Sequence, residues 1–171
     1  IANSGRRVLL IDGNFRRPAI STLFPDVGDT GLSDILSGQK NWAECIHESS
    51  VANLSVMAAG KLPPNPNELL GSELAKTMLS DVGQQYDQVI IDGPPLLLIS
   101  DAAVLATQVD GVMLVVRAGV NTHGIVTRCR SSLARIGAHV IGVVLNGVRT
   151  TAGGYLQKNY EAFYDYQNEE A

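Results

Sequence analysis

Five short apolar runs constrain this chain more than any other feature. They are Val8-Leu9-Leu10-Ile11, Leu54-Ser55-Val56-Met57, Val89-Ile90-Ile91, Val112 to Val116 and Val140 to Leu145. None shows the sustained polar alternation of a half-exposed strand, so each reads as a strand buried on both faces. Helical periodicity fills the gaps. Leu70, Leu74, Met78 and Val82 recur every fourth residue within Leu69 to Gln85. Asp101 to Gln108 is short and apolar, and Thr122 to Ile136 starts at a capping Asn121 or Thr122 with Ile125, Cys129, Leu133 and Ile136 along one face. Strands alternating with helices predict an α/β fold: a doubly wound, mostly parallel sheet with helices on both faces. Ile1 to Gly5 reads as the last turn of a helix closing on a glycine, so the domain is expected to be N-terminally incomplete.

With 171 residues, 45% hydrophobic and 18% charged, the chain has enough apolar material for one core. That domain is expected to span 1–150. Residues 151–171 differ in composition and form a tail rich in Gly, Tyr, Asn and Glu. A net charge of -4 argues against nucleic acid as a partner, because phosphate binding needs clustered Lys and Arg. Cys45 and Cys129 lie far apart and match neither metal-ligand spacing nor a disulfide framework, which suits a reducing compartment. No apolar run reaches the roughly 18 residues of a membrane span.

Chemistry is expected where the strands end, since open parallel sheets bind ligands beyond their carboxyl edges. Three runs stop at a polar residue of the kind that handles phosphate, metal or a base: Asp12, Asp92 and Asn146. A strand-final carboxylate can hold a metal ion beside a nucleotide triphosphate. Equally, it can cap the turn or helix that follows.

The context of these residues resembles one family. Arg6-Arg7-Val8-Leu9-Leu10-Ile11-Asp12-Gly13-Asn14-Phe15-Arg16-Arg17-Pro18 is similar to the Walker A' motif of bacterial tyrosine autokinases of exopolysaccharide and capsule synthesis. Tyr86 to Pro95, with Asp92-Gly93-Pro94-Pro95, resembles their Walker B motif, which usually reads Asp-Thr-Pro-Pro. Gly31 to Gly38, Pro63 to Leu70, Ser100-Asp101-Ala102 and Gly142 to Asn146 look like the same family, and the resemblance covers nearly the whole chain.

The resemblance implies ATP and Mg2+ as cofactors and transfer of the γ-phosphate to tail tyrosines, usually on a neighbouring subunit. Asp12, Asn14 and Asp92 would form the catalytic set. Asp12 would assist at the attacking hydroxyl or hold magnesium, Asp92 would hold magnesium through water, and Asn146 would lie near the adenine. Arg16 would meet phosphate or a neighbouring subunit's acids. Four of the five tyrosines fall late, and Tyr155, Tyr160, Tyr164 and Tyr166 would be the phosphate acceptors. Leu156, Tyr160, Phe163 and Tyr164 also fall at helical spacing, so the tail could instead dock as an amphipathic helix. The implied partners are a membrane polysaccharide co-polymerase or activator, fused or separate, further copies in a ring, and a tyrosine phosphatase. The implied location is cytoplasmic, at the inner face of the cell membrane.

Two departures stand out. The family usually carries Asp-x-Asp where this chain has Asp12-Gly13-Asn14, and an amide brings neither charge nor a base. No Gly-x-x-x-x-Gly-Lys-Ser/Thr phosphate loop occurs, so truncation ahead of Ile1 and weak ATP binding by these residues are expected. A central strand and helix are expected to be missing beside Val8 to Ile11, leaving a bare edge there. Two other functions fit the same motifs: a non-catalytic chain-length regulator with a weakened site at Asn14, and a partition-type ATPase switch.

Overall fold

The structure, a computed structural model, describes residues 1–148. The tail and its four tyrosines lie outside the described residues. All five apolar runs form strands, and a two-residue strand joins them. In chain order they are β1 (Val8–Asp12), β2 (His47–Glu48), β3 (Leu54–Met57), β4 (Gln88–Asp92), β5 (Val112–Arg117) and β6 (Val140–Asn146). The helices are α1 (Ile20–Leu23), α2 (Leu32–Leu36), α3 (Pro66–Leu70), α4 (Glu73–Gln85), α5 (Asp101–Ala106) and α6 (His123–Arg135). The opening turn, Ala2–Ser4, is a single 3-10 turn that closes on Gly5 at φ 85°, a conformation glycine adopts without strain.

The strands form two sheets. One has the order β2-β3-β1-β4, with β1 parallel to both β3 and β4 and β2 antiparallel to β3; the other pairs β5 with β6 in parallel. β1 is therefore a central strand with a neighbour on each side. The bare edge expected beside Val8 to Ile11 is not there. Among the described residues it lies instead on the far side of β4, and β5 also has only one partner there.

Burial follows this arrangement. β1 is almost wholly buried, as its unbroken apolar run requires. β4, β5 and β6 are not buried on both faces as their runs suggested. Met113, Val115, Ile141 and Val143 are more than half exposed. The main core gathers Leu9, Ile11, Phe15, Leu32, Ile35, Met57, Leu70, Met78, Val82 and Leu105. A smaller cluster packs Ile20, Val27, Val56 and Ala58 on another part of the sheet.

The helix expected from Leu69 to Gln85 is two helices. α3 ends at Gly71, and Ser72 restarts the chain by accepting a hydrogen bond from the Ala75 N–H. Leu74 falls on the open side at 42% exposure, and Ala75 takes the inward place with Met78 and Val82. Thr122 is the cap of α6, accepting from the Ile125 N–H. Cys129 and Leu133 are buried there, whereas Ile125 and Ile136, expected on the same inward face, are more than a third exposed. Among the described residues no helix is long and apolar enough to cross a membrane.

Candidate nucleotide site at the carboxyl edge of the sheet

β1 and β4 run parallel in register, which sets Asp12 beside Asp92 at the same edge. The chain leaving β1 hugs β4. The Gly13 N–H donates to the Asp92 carbonyl at 2.9 Å. A Cβ on Gly13 would stand 2.9 Å from Ile91 Cγ2 and 3.1 Å from that carbonyl oxygen, so only glycine permits the approach. The two carboxylates thus share one end of two hydrogen-bonded strands.

Their environments differ. Asp12 is fully buried. One of its oxygens accepts from the Asn14 N–H at 3.0 Å, and the other accepts from Ala19 at 2.8 Å and Ile20 at 2.9 Å. It therefore ties both ends of the loop that follows β1 and serves the N-terminal end of α1 from a distance. That is the capping behaviour open to any strand-final acid, and it ties both oxygens of this carboxylate to backbone N–H groups. Phe15 anchors the middle of the loop in the main core.

Asp92 is exposed at the strand end. Desolvation by its surroundings pushes its carboxyl above the ordinary 3.8, and the negative charge of Asp12 pushes it further the same way. The charge of Asp12 adds to the cost of ionising Asp92, so a cation bound beside the two acids would relieve repulsion.

Asn14 closes the turn. Its side-chain oxygen accepts from the Arg17 N–H at 3.2 Å, as does its own backbone carbonyl. An aspartate could make the same bond, so the amide costs the loop nothing in shape and removes one charge. Arg16 projects from this turn, with its side chain 46% exposed and its Nε 3.4 Å from Asp101 Oδ2. Asp101 itself is buried at the start of α5. Nothing in residue spacing marks it as buried, since an acid in the first turn of a helix normally faces solvent. Its one sequence signal is the Ser100-Asp101-Ala102 match.

α5 is held close by Leu105, which lies under Gly13, and by Ser100, whose hydroxyl meets the Asn67 amide at 2.7 Å. The Pro63 to Leu70 and Ser100 to Ala102 segments, far apart in sequence, therefore meet behind the β1 loop. Asn146 lies at the equivalent end of β6, exposed, with its carbonyl accepting from Ala118 at 2.8 Å. It belongs to the second sheet and shares no contact with Asp12 or Asp92 among the described hydrogen bonds. Among the described residues no group of three or more metal-ligating side chains comes together.

Comparison with known proteins bears on the fold and the family. A family profile described as an AAA domain matches residues 1–130. The tyrosine-protein kinase wzc of Salmonella typhi is 37% identical over 169 residues, covering 99% of this chain and 23% of that protein. The putative tyrosine-protein kinase CapB of Staphylococcus aureus is 33% identical over 96% of this chain and 70% of its own length. The chain thus spans about a quarter of one relative and more than two thirds of the other. Among solved structures, the kinase domain of the Escherichia coli tyrosine kinase ETK superposes with a TM-score of 0.85 at 36% identity, over 90% of this chain and 60% of that one. The cell-division protein MinD of Pyrococcus horikoshii has a TM-score of 0.69 at 19% identity over 84% of this chain and 59% of its own, a likeness of fold alone. The α/β architecture is that of the P-loop nucleotide-binding proteins, and the chain belongs to the family of bacterial tyrosine-protein kinases.

Proposed function

We propose that this chain carries the magnesium-binding half of the phosphotransfer site of an ATP-dependent protein-tyrosine autokinase that regulates exopolysaccharide or capsule synthesis. One observation supports the reading above all others: Asp12 and Asp92 end neighbouring parallel strands in register, one acid buried and the other open, its carboxyl raised by desolvation and then by its partner's charge.

The donor chemistry of this pair suits a hard, oxygen-loving cation. Asp92, with access to solvent, would hold magnesium through water, while Asp12 supplies a second negative charge and fixes the loop. Bound there with ATP, magnesium would neutralise charge on the phosphates during transfer. The protein's own part is positioning. Asp12 and Phe15 hold the loop rigid, Gly13 lets it lie against β4, and Asn14 shapes the turn that carries Arg16. Such a site works by pre-set geometry and charge, not by covalent chemistry. Asn146 would approach the adenine from β6. The acceptors would be Tyr155, Tyr160, Tyr164 and Tyr166, presented by one subunit to the next in a ring beside a membrane polysaccharide co-polymerase, with a phosphatase to reverse the reaction.

Mass spectrometry of the protein as its gene encodes it, after incubation with magnesium and ATP, tests this. Phosphate on the late tyrosines is expected; phosphate confined to serine or threonine would contradict the kinase reading.

A further inference from the structure

Asp101 is the one buried acid that the proposed chemistry leaves without a task. Its carboxylate is 1% exposed, and among the described residues neither oxygen receives a hydrogen bond. Burying an unsatisfied charge is costly, and folds tolerate it where something is gained. The compensating charge is Arg16, whose Nε stands 3.4 Å away, near enough to pair yet too long for a well-formed hydrogen bond. Arg16 is itself 46% exposed. One edge of its guanidinium thus faces a buried anion while much of the side chain remains open, on the loop that joins Asp12 to α1.

The surroundings fix Asp101 more firmly than Arg16. α5 packs through Leu105 into the main core, and Leu105 also lies against Gly13. The Asn67 amide holds Ser100, the residue before Asp101. Arg16 has no other ion-pair partner among the described residues. A rigid carboxylate behind a flexible, half-open arginine sets the plane of the guanidinium, and a planar fork of donors is the group best matched to phosphate oxygens.

We propose that Asp101 is a positioning residue: it holds the Arg16 guanidinium at the carboxyl edge of the sheet so that its outward donors meet an anionic group of the nucleotide. The pair acts as one unit, in which Asp101 never touches the ligand. This rests on the phosphotransfer reading above.

The test is a cycle of Asp101→Asn, Arg16→Gln and the double variant in the protein as its gene encodes it, read by tyrosine phosphorylation rate and by urea unfolding. Asn keeps the shape of Asp101 and removes its buried charge, so its unfolding midpoint should equal or exceed the parent's. Its kcat/KM for magnesium ATP should nevertheless fall roughly tenfold to a hundredfold, the scale of a displaced positioning group. Arg16→Gln should lose as much, and the double variant no more than either. Losses that multiply, or an Asp101→Asn variant with the parent's rate, would overturn the inference. So would an Asp101→Asn variant that fails to fold, which would make the carboxylate a requirement of the core. Should the parent transfer no phosphate at all, the phosphotransfer reading falls instead, and the unfolding cycle alone decides the pairing: non-additive midpoints uphold it and additive ones refute it.

Discussion

At the scale of single residues, Asp12 and Asp92 show how two acids with the same sequence signature take different work. Both follow a greasy run, and the run alone leaves capping and metal binding equally open. Burial separates them: Asp12 spends its oxygens on three backbone N–H groups, and Asp92 stands exposed with no side-chain hydrogen bond among the described residues. This division is invisible in the sequence because two of the donors, Ala19 and Ile20, sit seven and eight positions downstream at the start of α1, beyond an irregular loop. Asp101 was equally hidden, since its burial depends on a loop and a helix meeting from distant parts of the chain. The raised carboxyl of Asp92 carries a stability consequence. A folded-state value above the ordinary 3.8 means that the native chain binds this proton more tightly than the unfolded chain does. The ionised group therefore costs stability above the raised value, and the cost fades as pH falls through it toward 3.8. Asp92→Asn is expected to raise the urea midpoint at neutral pH, with the difference from the parent shrinking as the solution is acidified. The same variant should lower phosphotransfer by roughly a hundredfold or more, the scale of losing one charge-stabilising group. A variant less stable than the parent at neutral pH would contradict this account of the site.

At the scale of elements, the strands were legible and the helices only partly so. Short apolar runs mark β1, β3, β4, β5 and β6, although among the described residues only β1 and β3 have a strand on each side. The two-residue β2 carries no such mark. The break between α3 and α4 was written in Gly71-Ser72, a helix stop followed by a cap, but the fourfold spacing of Leu70, Leu74 and Met78 runs across it. Short elements also depend on single contacts. Gly31 opens α2 and bridges in parallel to Ala58, the residue after β3. A Cβ on Gly31 would lie 1.9 Å from the Ala58 carbonyl oxygen, a clash with backbone that no rotamer relieves. Gly31→Ala should therefore lower stability by roughly 2 kcal/mol or more, in the range of overpacked sites. Urea unfolding measures it, and an unchanged midpoint would show that α2 and the end of β3 can part freely.

At the scale of the whole molecule, the two sheets present a surface that is unusual for a chain so well buried at β1. Among the described residues the outer edge of β4 has no strand against it, and β6 is exposed along most of its length, including Ile141 and Val143 at 58% each. Apolar strands with free edges pair with whatever strand they meet. The 171 residues on their own are expected to self-associate as concentration rises, with a sedimentation coefficient that climbs through the micromolar range. A concentration-independent monomer that unfolds cooperatively at high temperature would contradict that expectation. The sequence foretold the class of this fold but misplaced its open edge, because the order of strands is a property of packing between segments that no single run encodes.

The central claim is that the carboxyl edge around Asp12 and Asp92 serves transfer of phosphate to the late tyrosines. The most direct measurement is incorporation of labelled γ-phosphate by the protein as its gene encodes it, beside a variant with Tyr155, Tyr160, Tyr164 and Tyr166 changed to Phe. The account predicts label in the parent and none in the variant. Equal label in both, or none in the parent while ATP is still bound, would contradict it.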